Sequence, residues 1–459
     1  MKRLAEKKLR TWLNDPYRKP LIIRGARQVG KSTLVQNFAD SNHLNLVEVN
    51  LEKHIELDLV FKTLNVQKIM REIEGLTGKN ALKPNTLLFL DEIQATPFAL
   101  QALRYFYEEY PQLPIIAAGS LLEFVLSKHP FSMPVGRIEY LYLGPMTFEE
   151  FLFEKDKELL KYIHSFDFET SIPDTVHARL LERQREFLFV GGMPEAINRY
   201  IQTNELNQAT RVHQSIIETY KDDFSKYVGQ SQLMRLHRVF NYAPSAVGKK
   251  VKYSNIAGDE KARELKAAIA LLTKARIVAP VYHSSCSGIP LSAQINDTIY
   301  KLLFLDVGLM NRICGLDWLA MRSMDDRTLM NEGSIAEQFI GQHLLFRDLE
   351  FTSPELHYWL RERKTSNAEV DYVLSRGDMI FPVEVKAGKS GSLKSLLQFI
   401  YEKKVNLAVR FDLNLPSIQT VSHQLLRNKK TETINFSLIS LPLYMVSQLH
   451  RIIDLIRKS

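Results

Sequence analysis

Apolar residues fall along this chain in short runs and helical spacings. Leu4, Leu9, Trp12 and Leu13 fit one face of a short helix, and Pro20 opens the run Leu21-Ile22-Ile23, which reads as a buried strand. Residues 44–49 alternate as a strand does, and residues 87–90 and 115–118 are four-residue apolar runs of the kind a parallel sheet buries on both faces. Between those two runs, Leu100, Leu103, Tyr107 and Tyr110 recur every three or four positions, which predicts a crossover helix. Strand and helix alternating in this way predict an α/β layered domain.

From about 147 to 240 the pattern is mostly helical, broken at Gly191-Gly192-Met193-Pro194, and reads as a helical lid and connector. A helix over 261–274 and extended stretches around 277–281 and 299–305 follow. Helices before a small β-wing suggest a winged-helix-like module. The last region opens with a helix over 334–346, with Ser334 and Glu337 at capping-box spacing. Strand patterns at 356–361, 369–374 and 380–386, a helix over 393–404 and a strand at 407–409 make a second α/β unit. The expected domains are therefore 1–200, 201–325 and 326–459.

The 459 residues are 45% hydrophobic and 24% charged, which excludes a disordered polymer. Two cysteines, Cys286 and Cys314, are too few for a disulfide scaffold and fit a reducing compartment. The basic N-terminus never reaches the apolar run of a signal peptide, and no stretch is long and apolar enough to span a membrane, so a cytoplasmic protein with no membrane partner is expected. The formal net charge of +8 makes a polyanionic partner plausible.

Chemistry enters at Gly25-Ala26-Arg27-Gln28-Val29-Gly30-Lys31-Ser32-Thr33, which satisfies G-x-x-x-x-G-K-[ST] between a strand and a helix. There the backbone N–H groups of a helix N-terminus can converge on phosphate, Lys31 can neutralise the β- and γ-phosphates, and the Ser32 hydroxyl can ligate Mg²⁺. The matching acidic end of a buried strand is Asp91-Glu92, after Leu87-Leu88-Phe89-Leu90. Asp91 is the candidate holder of Mg²⁺, usually through water, and Glu92 the group that orients or deprotonates the attacking water. Ser120, after the run 115–118, reads either as a polar sensor of γ-phosphate or as a turn residue. Arg137 reads either as an arginine finger reaching a neighbouring subunit or as a surface arginine.

GARQVGKST, LLFLDEIQ, AAGSLLEF, GRIEYLYLGPMTFEEF, GGMPEAI and KLLFLDVGLM together resemble the AAA-type ATPases of bacteria and archaea that carry a C-terminal domain of unknown function. That resemblance implies an ASCE-type P-loop core, a winged-helix-like middle and a C-terminal domain related to PD-(D/E)XK nucleases. It names no substrate and leaves the oligomeric state open.

The C-terminal region carries a second constellation. Residues 367–374, then Ser375-Arg376-Gly377-Asp378, then 379–386 read as a hairpin whose two-residue loop, Gly377-Asp378, suits a type II′ turn. Counting back pairs Arg376 with Met379 and Asp371 with Glu384. Glu384 and Lys386, two apart, then share a face with Asp371, while Val370, Tyr372, Val383 and Val385 take the other. Facing carboxylates repel, so the arrangement predicts a divalent ion between Asp371 and Glu384, with Lys386 stabilising a scissile phosphate. Glu337, by the resemblance, matches the helical glutamate of such nucleases. Three readings stay open: an active nuclease, an inactive nuclease fold that binds nucleic acid or protein, and a solvated hairpin.

Residues 246–280 hold eight lysines and arginines against three acids, a cluster that could line phosphates or be a solvated face. The combined expectation is an ATPase using ATP and Mg²⁺ to drive or gate a nuclease-like domain, with DNA as the candidate polymer. The alternative is an ATP-dependent switch or protein-interaction module whose hairpin cuts nothing.

Overall fold

The computed structural model describes residues 1–120, 134–226, 228–319, 333–346, 353–361, 368–386, 393–427 and 430–458. Asn367, the expected start of the hairpin, lies outside them. They form two compact units, one from Met1–Pro145 with Leu271–Ile277 and residues 353–354, the other from Met146–Ala270 with residues 278–346 and 355–458.

The first unit is built on a five-stranded sheet of β1 (Leu21–Arg24), β2 (Asn45–Asn50), β3 (Thr86–Asp91), β4 (Ile115–Gly119) and β5 (Glu139–Tyr142), in the order β2-β3-β4-β1-β5. Every neighbouring pair is parallel, so each apolar run is covered on both faces. The crossover helix Pro97–Glu109 presents Leu100, Leu103 and Phe106 to a core shared with Ile22, Leu88, Leu90 and Ala117. Of the two tyrosines expected on that stripe, Tyr110 caps the helix and packs half-buried against this core, whereas Tyr107 is half-buried outside it, because Ala99, Ala102 and Phe106 take the buried face.

The second unit carries an eight-stranded mixed sheet. Its strands are β6 (Val278–Ser284), β7 (Ile295–Phe304), β8 (Leu356–Leu360), β9 (Glu369–Arg376), β10 (Met379–Val385), β11 (Leu407–Asp412), β12 (Ser417–Arg427) and β13 (Lys430–Pro442). The order is β12-β13-β11-β10-β9-β8-β6-β7. The expected β-wing is thus not a separate module. β6 pairs antiparallel with β7 and parallel with β8, placing both strands in the same sheet as the hairpin. Tyr300 to Phe304 are all buried, whereas a surface wing would show one wet face.

Helix Gly333–Leu345 packs on this sheet through Ile335, Ala336, Phe339, Ile340 and Leu344. Ser334 lies inside it rather than capping it. Two motifs of the sequence meet at Asp306, whose fully buried carboxylate accepts from Gly192 N at 2.5 Å and from Leu309 N at 3.1 Å. That ties the GGMPEAI turn to the start of helix Val307–Ile313, and burial raises the Asp306 carboxyl to about 6.

Candidate functional site

The phosphate-loop sequence leaves β1 at its C-terminal end and enters helix Lys31–Ser41 through Gly30, which is left-handed with φ 86°. Gly25 has no room for a side chain: an added Cβ would lie 2.3 Å from the Leu143 carbonyl oxygen. The Lys31 ammonium is buried and donates to the carbonyls of Ala26 at 2.8 Å and Gly25 at 3.2 Å, so the loop is wrapped around its own cation. Thr33 is exposed on the helix. Arg27 lies in the loop and donates from Nε to Ser120 Oγ at 3.2 Å.

β4 separates β1 from β3, and β3 delivers Asp91 to the loop. Ser32 Oγ donates to Asp91 Oδ2 at 2.8 Å, joining two residues 59 apart in sequence. Burial raises the Asp91 carboxyl; the Ser32 hydrogen bond opposes this and the Glu92 charge adds to it. A hydroxyl and a carboxylate in contact at the mouth of a phosphate loop are a hard, oxygen-only donor set and fit Mg²⁺.

Glu92 begins the turn after β3 with φ 50°, and its Oε2 accepts from Gln94 Nε2 at 2.5 Å. Gln94, to which the sequence alone assigned nothing, therefore positions Glu92. Ser120 is buried immediately past β4, which pairs directly with β3, the neighbourhood that a sensor role requires.

Arg137 sits elsewhere. It precedes Glu139, which pairs with Leu21 at the start of β1, so it lies at the end of the sheet opposite the phosphate loop. Its Nε meets Glu108 Oε1 at 3.2 Å. A role at the phosphate loop of its own chain is excluded.

Arg3 is a residue that sequence reasoning missed. It is buried, with Nη1 donating to Val29 O and Nη2 to Gly144 O, both at 2.8 Å, which clamps the loop to the segment after β5. No motif marks it, because its partners are backbone atoms remote in sequence.

In the second unit the hairpin closes as counted. Arg376 pairs with Met379, and the ladder runs in register to Tyr372–Val383, one step short of Asp371 and Glu384. Gly377 has φ 61° and Asp378 does not have positive φ, as a II′ turn requires. The faces, however, differ from simple alternation. On the β8 side the register shifts between His357 and Trp359, so one extra residue of β9 is accommodated near Asp371 and Tyr372. Val370 and Val373 consequently share a cluster with Phe399, while the Tyr372 hydroxyl donates to Glu337 O at 2.9 Å. A bulge of this kind re-aims side chains, and Asp371 Oδ2 accepts from Val385 N at 2.7 Å.

Glu384 is buried and ion-paired with Lys386. Lys301 of β7 reaches the carboxylates of Glu369, Glu337 and Asp371, but not that of Glu384. Its Nζ lies 2.5 Å from Glu369, 3.5 Å from Glu337 and 3.9 Å from Asp371. Burial alone would lower the Lys301 pKa, but Glu337, Asp371 and Glu369 reverse the direction and raise it. Burial raises Glu337 and Glu384, each pushed further by its carboxylate neighbours and held back by its lysine.

Asp371 Oδ2 is engaged by Val385 N and Glu384 Oε1 by Lys386, while among the described residues Glu384 Oε2 is buried with no hydrogen-bond partner. A signal was present in sequence: Lys301 interrupts the apolar run Tyr300 to Leu305, and a charge in a buried strand requires partners.

In the segment 246–280, Lys266 meets Asp297 at 3.8 Å and Arg263 meets Glu264 at 3.3 Å. The three acids there are also used by Arg235 and Arg238. Among the described residues no helix is long and apolar enough to cross a membrane.

Three family models match in succession: an AAA domain at residues 17–152, a domain of unknown function (DUF8612) at 181–320, and a domain of unknown function (DUF4143) at 332–442. No curated protein matches. Among solved structures, C. elegans PCH-2 is 15% identical, with 45% of this chain and 62% of that chain covered and a TM-score of 0.26. The Thermotoga maritima RuvB Holliday junction branch migration motor is 18% identical, with 60% and 88% covered and a TM-score of 0.27. A STAND protein with a tetratricopeptide repeat sensor from Pyrococcus horikoshii is 12% identical, with 74% and 44% covered and a TM-score of 0.25. The phosphate loop, the acidic strand end and the matched family model together make residues 17–152 an ATP-binding AAA domain.

Proposed function

We propose that this protein hydrolyses ATP with Mg²⁺ at the loop of residues 25–33 and uses the cycle to switch the state of its C-terminal α/β unit. The observation that carries the reading is the 2.8 Å contact of Ser32 Oγ with Asp91 Oδ2, which assembles the loop and the acidic strand end into one centre. Ser32 and Asp91 would hold Mg²⁺, which when bound neutralises charge on the β- and γ-phosphate oxygens. Backbone N–H groups of Gly25 to Thr33 bind the phosphates, and Lys31 supplies positive charge at the loop. Glu92, oriented by Gln94, takes the proton of the attacking water. Ser120 senses the γ-phosphate, and Arg137 reaches the phosphate of a neighbouring copy.

The test is Glu92→Gln. Hydrolysis is expected to fall about 10²–10⁴-fold with calorimetric ATP affinity retained. Unchanged turnover removes Glu92 from the mechanism, and absence of ATP binding by the natural chain removes the reading altogether.

The output is read as a switch acting on a protein or on DNA, the latter suggested by the basic segment 246–280. The second reading, a gated nuclease, draws on the convergence of Asp371, Glu384 and Lys386. Incubation with Mg²⁺, ATP and assorted DNA separates them. The switch reading expects intact DNA, whereas cleavage that disappears in both Asp371→Ala and Lys386→Ala establishes the nuclease.

A further inference from the structure

We propose that Lys301 is the resident cation of the C-terminal carboxylate centre, an ammonium that holds Glu337, Glu369 and Asp371 together without a divalent ion. The centre is then a metal-free core that fixes β9 and β10. It gathers four carboxylates, Glu337, Glu369, Asp371 and Glu384, from a helix and two strands. Such a group is unstable without positive charge among its members.

Two lysines divide the work. Lys386 is ion-paired with Glu384 at one side, and Lys301 Nζ contacts Glu369, Glu337 and Asp371 at the other. The Lys301 side chain is 3% exposed, and its backbone is held in β7 opposite Val281. The surroundings suit an ammonium better than a hard ion. The Tyr358 ring stands 5.2 Å from Nζ, a cation–π contact, whereas Mg²⁺ takes oxygen ligands at about 2.0–2.1 Å in near-octahedral array. On the far side the backbone closes the space: a Cβ at Gly248 would come within 2.8 Å of Glu337 Oε2. A divalent ion bound to Asp371 would sit beside the Lys301 ammonium, 3.9 Å from that carboxylate, and be repelled by it in a buried site.

The experiment titrates nucleotide-free full-length protein with Mn²⁺, followed by calorimetry and by the Mn²⁺ paramagnetic resonance signal. The natural chain is expected to bind no Mn²⁺ that Asp371→Asn abolishes. Lys301→Met keeps most of the length of the side chain and removes its charge. It is expected to gain a site at least about tenfold tighter than any in the natural chain, lost again on adding Asp371→Asn. A stoichiometric site in the natural chain that Asp371→Asn or Glu384→Gln removes would overturn the proposal, as would a folded Lys301→Met chain that gains nothing. If Lys301→Met does not fold, the natural chain against Asp371→Asn and Glu384→Gln decides alone: equal Mn²⁺ response supports the tethered lysine. Because no nucleotide is present, this outcome and that of the hydrolysis test are independent.

Discussion

Replacing Lys31 by alanine is expected to lower kcat/KM for ATP hydrolysis about 10²–10³-fold or more, the cost of deleting one preorganised charge from a site where negative charge concentrates. The structure gives the reason for so large an effect. Lys31 Nζ is held by the Ala26 and Gly25 carbonyls, so its position is set by the loop rather than by a flexible stem. Alanine also leaves the buried Ala26 carbonyl without that donor, so the loop loses part of its own support along with the charge. Arginine should not rescue, because its planar fork is a different shape from the compact ammonium that the two carbonyls enclose. Steady-state phosphate release with ATP titration measures both parts, and a Lys31→Ala chain with natural turnover and affinity would remove the loop from the mechanism.

The second large effect is on stability. Lys301→Met is expected to cost the second unit about 3–5 kcal/mol, the range for removing one partner of a buried ion pair, because Glu369, Glu337 and Asp371 lose their shared cation. The sign with pH follows. Burial and neighbouring carboxylates already raise Glu337 to about 7, and without Lys301, which holds it back, Glu337 keeps its proton still more tightly in the folded chain than in the unfolded one. The folded state then binds more protons, and stability rises as pH falls. The deficit should therefore narrow as pH falls from the alkaline side toward about 7, where Glu337 of the natural chain takes up its proton too. Hydrogen exchange at β9 and β10 is a suitable readout, since two compact units need not unfold in one transition. A loss below about 1 kcal/mol, or one that widens on acidification, contradicts the account of the centre.

Much of the first unit was legible because its signals are local. An apolar run, a glycine-lysine loop and a strand-end Asp-Glu pair each follow from a few adjacent residues, and β3, β4 and the loop appear where those signals stand. The hairpin register was legible for the same reason, since a two-residue loop sets the pairing on both sides of it. The faces of β9 were not. The bulge opposite β8 depends on a strand remote in sequence, and one extra residue reverses the alternation beyond it. β12 escaped notice because much of it is exposed and polar, so no periodic apolar pattern marks it. The β6–β7 pair was recognised as strands but assigned to a wing, because pairing partners within a sheet leave no local trace.

From its residues alone the chain specified a phosphate-binding loop, an acidic partner on a buried strand and a carboxylate hairpin, since each rests on short-range chemistry and spacing. Only the tertiary structure decided which charge meets those carboxylates and which arginine clamps the loop. Lys301 lies 70 residues from Asp371 and Arg3 lies 26 from Val29. Electrostatic compensation in a buried site is settled by distance in space, and pattern along the chain does not encode it.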